Sequence, residues 1–201
     1  MSSIKKAGVL GFPIAHSLSP RLHGFWLKKY NIAGQYEAYQ VQPENLPEFI
    51  ENLRKDEDFV GVNLTVPHKE AVMELLDEVD FLANVIGAVN TVIYDKGILI
   101  GKNTDAYGFA ENIRNSVIGT KKAVVLGTGG GAKAVIFALK QLGFEQVIIT
   151  NRTRGRAEEL SASIDYPLLI IDWENRSEAL QDADLLVNTT SLGMIGKEAL
   201  E

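Results

Sequence analysis

Short apolar runs alternate along this chain with segments whose apolar residues recur every three or four positions. The runs read as buried strands and the periodic segments as helices with one inward face. Residues 7–12 form a first strand that breaks at Pro13, and Leu22, Phe25, Trp26 and Tyr30 then trace a helical stripe ending near residues 31–34. Ser19 before Pro20 has the chemistry of a helix N-cap followed by proline at the first helical position. Residues 36–41 alternate as a strand, 43–53 read as a helix with Leu46, Phe49, Ile50 and Leu53 on one face, and 59–64 form the next strand. A helix is expected over 68–76 and a short one over 81–86, stopped by Gly87. Residues 88–94 and 98–101, joined through Asp95-Lys96-Gly97, have hairpin turn chemistry. A helix opening at Asn103-Thr104-Asp105 runs to about residue 117, with Phe109 and Ile113 inward. This order predicts an α/β fold built on a parallel-type sheet.

The second half is organised around residues 123–153. The apolar run 123–126 ends at Gly127-Thr128-Gly129-Gly130-Gly131-Ala132, and Ala134, Val135, Ala138, Leu139 and Leu142 continue at helical spacing up to Gly143. Strand, glycine turn and helix in this order match the G-x-G-x-x-A pattern of a dinucleotide-binding unit. There Gly127 makes the tight turn, Gly129 lets a pyrophosphate approach, and Ala132 lets helix pack on strand. The helix N-terminus offers N–H groups and a positive dipole end to phosphates. A second strand, 146–150, ends at Asn151-Arg152-Thr153-Arg154, where an NAD-binding unit carries an acid for the ribose. Arginine there attracts a 2′-phosphate, so the expected cofactor is NADP. The competing reading makes Arg152, Arg154 and Arg156 the solvated start of the next helix. Further expected elements are a helix over 157–164, strands over 168–171 and 185–188, and a short helix ending at 179–182.

Three positions in the first half invite chemistry. Ser17 and Ser19 place two hydroxyls on one loop at a helix start, a plausible seat for a carboxylate. Lys69 follows a strand end, where open α/β sheets bind ligands, and a cation in a first helical turn opposes the helix dipole. Asp105 near a helix start is either a favourable dipole partner or, with Lys69, an acid/base pair that handles a hydroxyl proton.

Composition narrows the classes. The chain has 201 residues, is 46% hydrophobic and carries a net charge of -6, the profile of an ordinary soluble globular protein. A mildly acidic balance argues against nucleic acid or an anionic membrane as partner. Without cysteine there is no disulfide, thiol nucleophile or thiolate metal site, and His16, His23 and His68 form no metal-ligand pattern. No signal-like apolar core follows Met1, so the cytoplasm is the default location.

Several blocks, taken together and in order, closely resemble the shikimate dehydrogenase family. They are Ser17-Leu18-Ser19-Pro20, Asn63-Leu64-Thr65-Val66-Pro67-His68-Lys69, Gly87-Ala88-Val89-Asn90-Thr91, Gly101-Lys102-Asn103-Thr104-Asp105, the glycine loop, Asn151-Arg152-Thr153 and Asn188-Thr189-Thr190-Ser191-Leu192-Gly193-Met194. The resemblance implies an N-terminal α/β substrate domain, residues 1–117, and a Rossmann-type NADP-binding domain, residues 118–201. It implies interconversion of 3-dehydroshikimate and shikimate, a step toward chorismate and the aromatic amino acids. Ser17 and Ser19 would hold the substrate carboxylate, and Thr65, Asn90 and Asp105 the ring hydroxyls. Lys69 would move the proton, oriented by Asp105. Gly127, Gly129, Gly130, Gly131 and Ala132 would hold the pyrophosphate, Asn151, Arg152, Thr153 and Arg154 the 2′-phosphate, and Thr189 and Met194 the nicotinamide side.

The chain departs from the family pattern in three places. Gly131 and Lys133 stand where the family more often has alanine and arginine, which is expected to loosen the loop. Ser19 in place of threonine favours shikimate over the bulkier quinate, by about 1 to 3 kcal/mol at most. Family members also continue beyond position 201, so a truncated chain with an incomplete cofactor domain, poor turnover and weak NADP binding is expected. Relaxed specificity toward quinate or NAD stays open, as does a binding module without catalysis. The retention of Lys69 and Asp105 weighs against a chain inactive by descent, though not against one inactive by truncation. The oligomeric state is also open, a homodimer among the options.

Overall fold

The computed structural model describes residues 4–116, 119–194 and 196–200, which divide into two compact units, Met1–Thr104 and Asp105–Glu201. The expected boundary, after residue 117, falls on residues outside the described ones. The helix that precedes it groups with the second unit, where its half-buried Phe109 packs against the core.

The first unit is a mixed six-stranded sheet with helices. Its strands are β1 Lys5–Gly11, β2 Gly34–Gln40, β3 Phe59–Leu64, β4 Glu78–Val79, β5 Thr91–Asp95 and β6 Ile98–Lys102, in the order β2-β1-β3-β5-β6-β4. β1 pairs in parallel with both β2 and β3, as the alternating pattern predicts. The hairpin then turns the sheet antiparallel, β5 against β3 and β6 against β5. Its two-residue loop, Lys96-Gly97, has positive φ at both positions (50° and 92°), a twist that suits the strands it joins.

The first helix, α1 Ser19–Lys29, corrects the capping expectation. Leu18 occupies the cap without a side-chain bond, while Ser19 and Pro20 are already helical. Leu18 has taken helical dihedrals, so the Ser19 hydroxyl lies one residue too late to cap. The predicted stripe exists, yet Leu22, Phe25, Trp26 and Tyr30 stay between 42% and 64% exposed.

The core of this unit lies beneath α2, Leu46–Lys55, which buries Leu46, Ile50 and Leu53 against Leu10, Phe59, Val62, Leu64, Val92 and Leu99. A 3₁₀ turn, Pro43–Asn45, replaces the first turn of the helix expected from residue 43. The helix expected over 68–76 is only α3, His68–Ala71, followed by a 3₁₀ turn, Val72–Leu75. The chain must be extended again by Leu76 to reach β4, a strand the pattern does not reveal, and that leaves no room for a second α-turn. His68 is buried, with Nε2 2.8 Å from the Val41 carbonyl oxygen. The short α4, Phe81–Ile86, is capped by the Asp80 carboxylate and ended by Gly87 at φ 68°.

The second unit begins with α5 Asp105–Ile113, which ends short of the expected residue 117. Its sheet is wholly parallel, with β7 Lys122–Leu126, β8 Gln146–Thr150, β9 Leu168–Ile170 and β10 Leu185–Asn188 in the order β10-β7-β8-β9. α6 Gly130–Gln141 connects β7 to β8 and buries Ala132, Ala134, Val135, Ile136, Ala138 and Leu139. α7 Arg154–Ser163 covers the sheet with Ala157 and Leu160, and a single turn, α8 Arg176–Ala179, precedes β10. No helix among the described residues is long and apolar enough to cross a membrane.

Leu10 is fully buried at the centre of the first core. Leu10→Ala is expected to destabilise this unit by about 2–5 kcal/mol through lost transfer energy and a residual cavity. Urea unfolding followed by Trp26 fluorescence in a Trp173→Phe background would measure it as a lowered midpoint.

Candidate active site

In the first unit the antiparallel hairpin brings distant segments to one end of the sheet. Because β5 opposes β3, with Asn63 opposite Thr91, the start of β5 and the end of β6 lie beside the carboxyl end of β3. Thr65 follows β3 and donates its N–H to the Leu10 carbonyl at the end of β1. Lys69, in the single turn of α3, is half-buried. Its carbonyl accepts the Val89 N–H at 2.7 Å, which ties this turn to the segment carrying Asn90. Asn90 is buried, its carbonyl accepting from Leu64 N–H at 2.8 Å and its N–H donating to the Lys102 carbonyl at 3.0 Å. The Asn90 side chain donates from Nδ2 to the Thr104 hydroxyl at 2.9 Å, while its Oδ1 accepts the Thr104 N–H at 3.0 Å. Asn103, also buried, donates to the Ala88 carbonyl at 2.8 Å. Thr65, Lys69 and Asn90 are thus gathered by backbone pairing.

The serine loop lies at the end of β1. The Ser17 hydroxyl accepts the Ser19 N–H at 3.3 Å, which keeps its own proton available. The Ser19 hydroxyl bonds the phenol of Tyr36, which donates in turn to Asn63 Oδ1 at 2.7 Å. Asn63 then donates to Thr91 at 3.1 Å. Sequence reasoning did not assign Tyr36, Asn63, Thr91 or Thr104 to the site. The available signal was Asn63 itself, an amide near the end of an otherwise apolar strand that must find partners if enclosed. The His23 ring stacks on Tyr36 with centroids 4.0 Å apart.

Asp105 opens α5 at the first residue of the second unit. The other second-unit candidates collect at the carboxyl end of its sheet. β7 is central, with β8 and β9 on one side and β10 on the other, so the connections diverge there and leave a crevice. Gly127 sits at φ 102°, and a Cβ on it would come within 2.7 Å of the Thr189 hydroxyl. That hydroxyl donates to the Leu126 carbonyl, which closes β10 onto β7. Around Gly129 and Gly131 an added Cβ would meet nothing within 4 Å. The loop and the N-terminus of the 12-residue α6 therefore face open space, while Gly130 begins the helix and Ala132 is fully buried beneath it. The same open space means that glycine in place of alanine at 131 relieves no crowding. Such a surface, with unpaired helical N–H groups and room for backbone approach, fits a pyrophosphate.

At the end of β8, Asn151 donates to the Thr153 carbonyl at 3.0 Å. Arg152 is exposed and pairs with Glu198 at 3.1 Å. Arg154 is the first residue of α7, held by Asp172 at 2.6 Å and Glu158 at 2.9 Å, and the Asp172 hydrogen bond is the main reason its pKa is raised. The arginines thus do line the start of a helix. These pairs lie in water and hold little energy, so a multiply charged phosphate can displace them. Thr150, fully buried just before Asn151, has a hydroxyl without a partner. Beyond β10, Asn188 binds Thr190 and Leu192 and shapes the loop that leads to an exposed Met194.

Residues 9–92 match the family model for the shikimate dehydrogenase substrate binding domain, and residues 109–198 that for shikimate / quinate 5-dehydrogenase. The shikimate dehydrogenase (NADP(+)) of Paramagnetospirillum magneticum is 49% identical over 200 residues, covering 97% of this chain and 72% of that protein. The chain belongs to the shikimate dehydrogenase family. The crystal structure of the Aquifex aeolicus shikimate dehydrogenase superposes with a TM-score of 0.90 at 35% identity, covering 100% of this chain and 74% of that one. The Thermus thermophilus enzyme, crystallised with NADP(H) and shikimate, gives a TM-score of 0.83 at 43% identity, over 94% of this chain and 70% of its own. The first of these relatives is an NADP(+) enzyme, and the Thermus structure holds both NADP(H) and shikimate, the pair the two halves of this sequence predict.

Burial pushes the Tyr36 phenol up to about 12 from an ordinary 10.0, against a smaller opposing effect of Ser19. The folded state therefore holds this proton more tightly than the unfolded chain. Its stabilising contribution is complete below pH 10.0 and is lost as the pH rises toward about 12. Thermal melts across that window should fall less steeply in Tyr36→Phe than in the parent.

Proposed function

We propose that this protein interconverts shikimate and 3-dehydroshikimate with NADP, with the substrate residues other than Asp105 in the first unit and the nucleotide residues in the second. The gathering of Thr65, Lys69 and Asn90 from separate sequence blocks at one end of the first sheet carries this reading. NADP, when bound, supplies the hydride chemistry, so the protein has only to bind, orient and move one proton. Ser17 and Ser19 hold the substrate carboxylate, Ser17 with a proton its loop contacts leave available. Thr65, Asn90 and Asp105 hold the ring hydroxyls. Lys69 takes the hydroxyl proton as shikimate is oxidised and returns it to the oxygen as 3-dehydroshikimate is reduced. Asp105 is the second member of that acid/base pair.

On the nucleotide side, Gly127, Gly129, Gly130 and Gly131 present backbone N–H groups to the pyrophosphate over the buried Ala132. Asn151, Arg152, Thr153 and Arg154 receive the 2′-phosphate, and Thr189 and Met194 border the nicotinamide. A dinucleotide module without turnover would use the same loop, and Lys69 is what separates the two readings. Absorbance of reduced nicotinamide after mixing protein, shikimate and NADP tests the proposal, with quinate and NAD in parallel. A rise that depends on shikimate and NADP supports it. No rise from folded protein that binds NADP would overturn it.

Lys69→Ala is expected to lower turnover by roughly 10²–10⁴, the range for a lost general acid/base, with NADP affinity by calorimetry little changed. Comparable loss of NADP affinity would take Lys69 out of the chemistry. Arg152→Asp should weaken NADP far more than NAD, since the change removes an attraction and adds a repulsion only where a 2′-phosphate is present.

A further inference from the structure

A hydrogen-bond chain with a single direction crosses the first unit. Ser19 bonds the Tyr36 phenol, Tyr36 donates to Asn63 Oδ1 at 2.7 Å, Asn63 Nδ2 donates to Thr91 Oγ1 at 3.1 Å, and Thr91 donates to Asn90 Oδ1 at 2.9 Å. A carboxamide has nearly the same shape either way round, so its orientation is decided by its partners. With Tyr36 donating to its oxygen, Asn63 can offer only N–H to Thr91. Thr91 then receives a proton from one side and must send its own to the other, where Asn90 Oδ1 accepts it beside the Thr104 N–H. Each bond polarises the next, so the chain as a whole favours one arrangement.

We propose that Thr91 is a positioning residue whose hydroxyl, accepting from Asn63 and donating to Asn90, fixes which way round the Asn90 carboxamide stands, with Oδ1 toward Thr91 and Nδ2 toward the Thr104 hydroxyl. This rests on the proposed function, in which Asn90 holds a substrate hydroxyl. Thr91 suits the task because it faces Asn63 directly across the β3/β5 pairing, and a β-branched side chain on a strand has little χ1 freedom. An ordinary strand residue at this place would need the branching but not the hydroxyl.

Thr91→Val keeps the shape and removes the hydroxyl, while Thr91→Ser keeps the hydroxyl. The valine variant should raise the KM for shikimate about tenfold, the scale of one lost hydrogen bond that leaves a polar partner unpaired, with kcat and the KM for NADP near the parent values. The serine variant should return the KM for shikimate to near the parent value. If valine disturbs the thermal melt, Thr91→Ala with the serine control makes the same comparison. An unchanged KM for shikimate in the hydroxyl-free variants would overturn the inference, as would equal impairment of serine and valine. A parent protein that does not oxidise shikimate with NADP overturns the proposed function instead.

Discussion

The buried amide of Asn90 is the constraint on which the first unit's site depends. A polar group enclosed without partners costs on the order of 1–3 kcal/mol, so every atom of this residue has to be met. Its backbone joins β3 to the end of β6, and its side chain binds Thr91 on one side and Thr104 on the other. Satisfying one residue thus aligns the strand end that leads to Lys69, the start of the hairpin and the segment that leads into α5. The antiparallel turn of the sheet makes this geometry available, since a parallel β5 would begin at the opposite end.

The second unit answers a different requirement, the close approach of two loops at the point where the strand order of its parallel sheet reverses. Gly127 adopts a backbone conformation with positive φ and leaves space that the Thr189 hydroxyl fills to seal β10 against β7. The next glycines are not crowded by the protein at all, and the emptiness in front of Gly129 and Gly131 suits a ligand's approach rather than packing. One glycine therefore serves the fold while its neighbours leave the loop open, although all belong to the same short motif.

Charge follows a similar division. The arginines after β8 rest on Glu198, Asp172 and Glu158 at the surface, where ion pairs exchange readily with a more highly charged anion. In the first unit the polar groups are held by hydrogen bonds in partly enclosed positions, where geometry rather than net charge controls what they can offer.

Much of this was legible in the sequence because it follows from local rules. Strand runs, the glycine turn, the Lys96-Gly97 hairpin loop and the arginines after β8 each depend on a few adjacent residues. The ordered motifs carried the family, and by position they name Ser17, Thr65, Lys69 and Asn90 as candidates. Other features depend on partners far along the chain. Ser19 has the composition of a cap, yet Leu18 turned helical first and left its hydroxyl to Tyr36. β4 and the shortened α3 exist because the sheet gains an edge there, and the apolar face of α1 stays open although its spacing is that of a buried stripe. The line from Tyr36 through Asn63 and Thr91 to Asn90 joins three strands, and no window of sequence contains it. Local sequence set which residues could form each element, whereas the direction of each hydrogen bond was decided only when the strands met, because a side-chain amide or hydroxyl takes its orientation from its neighbours.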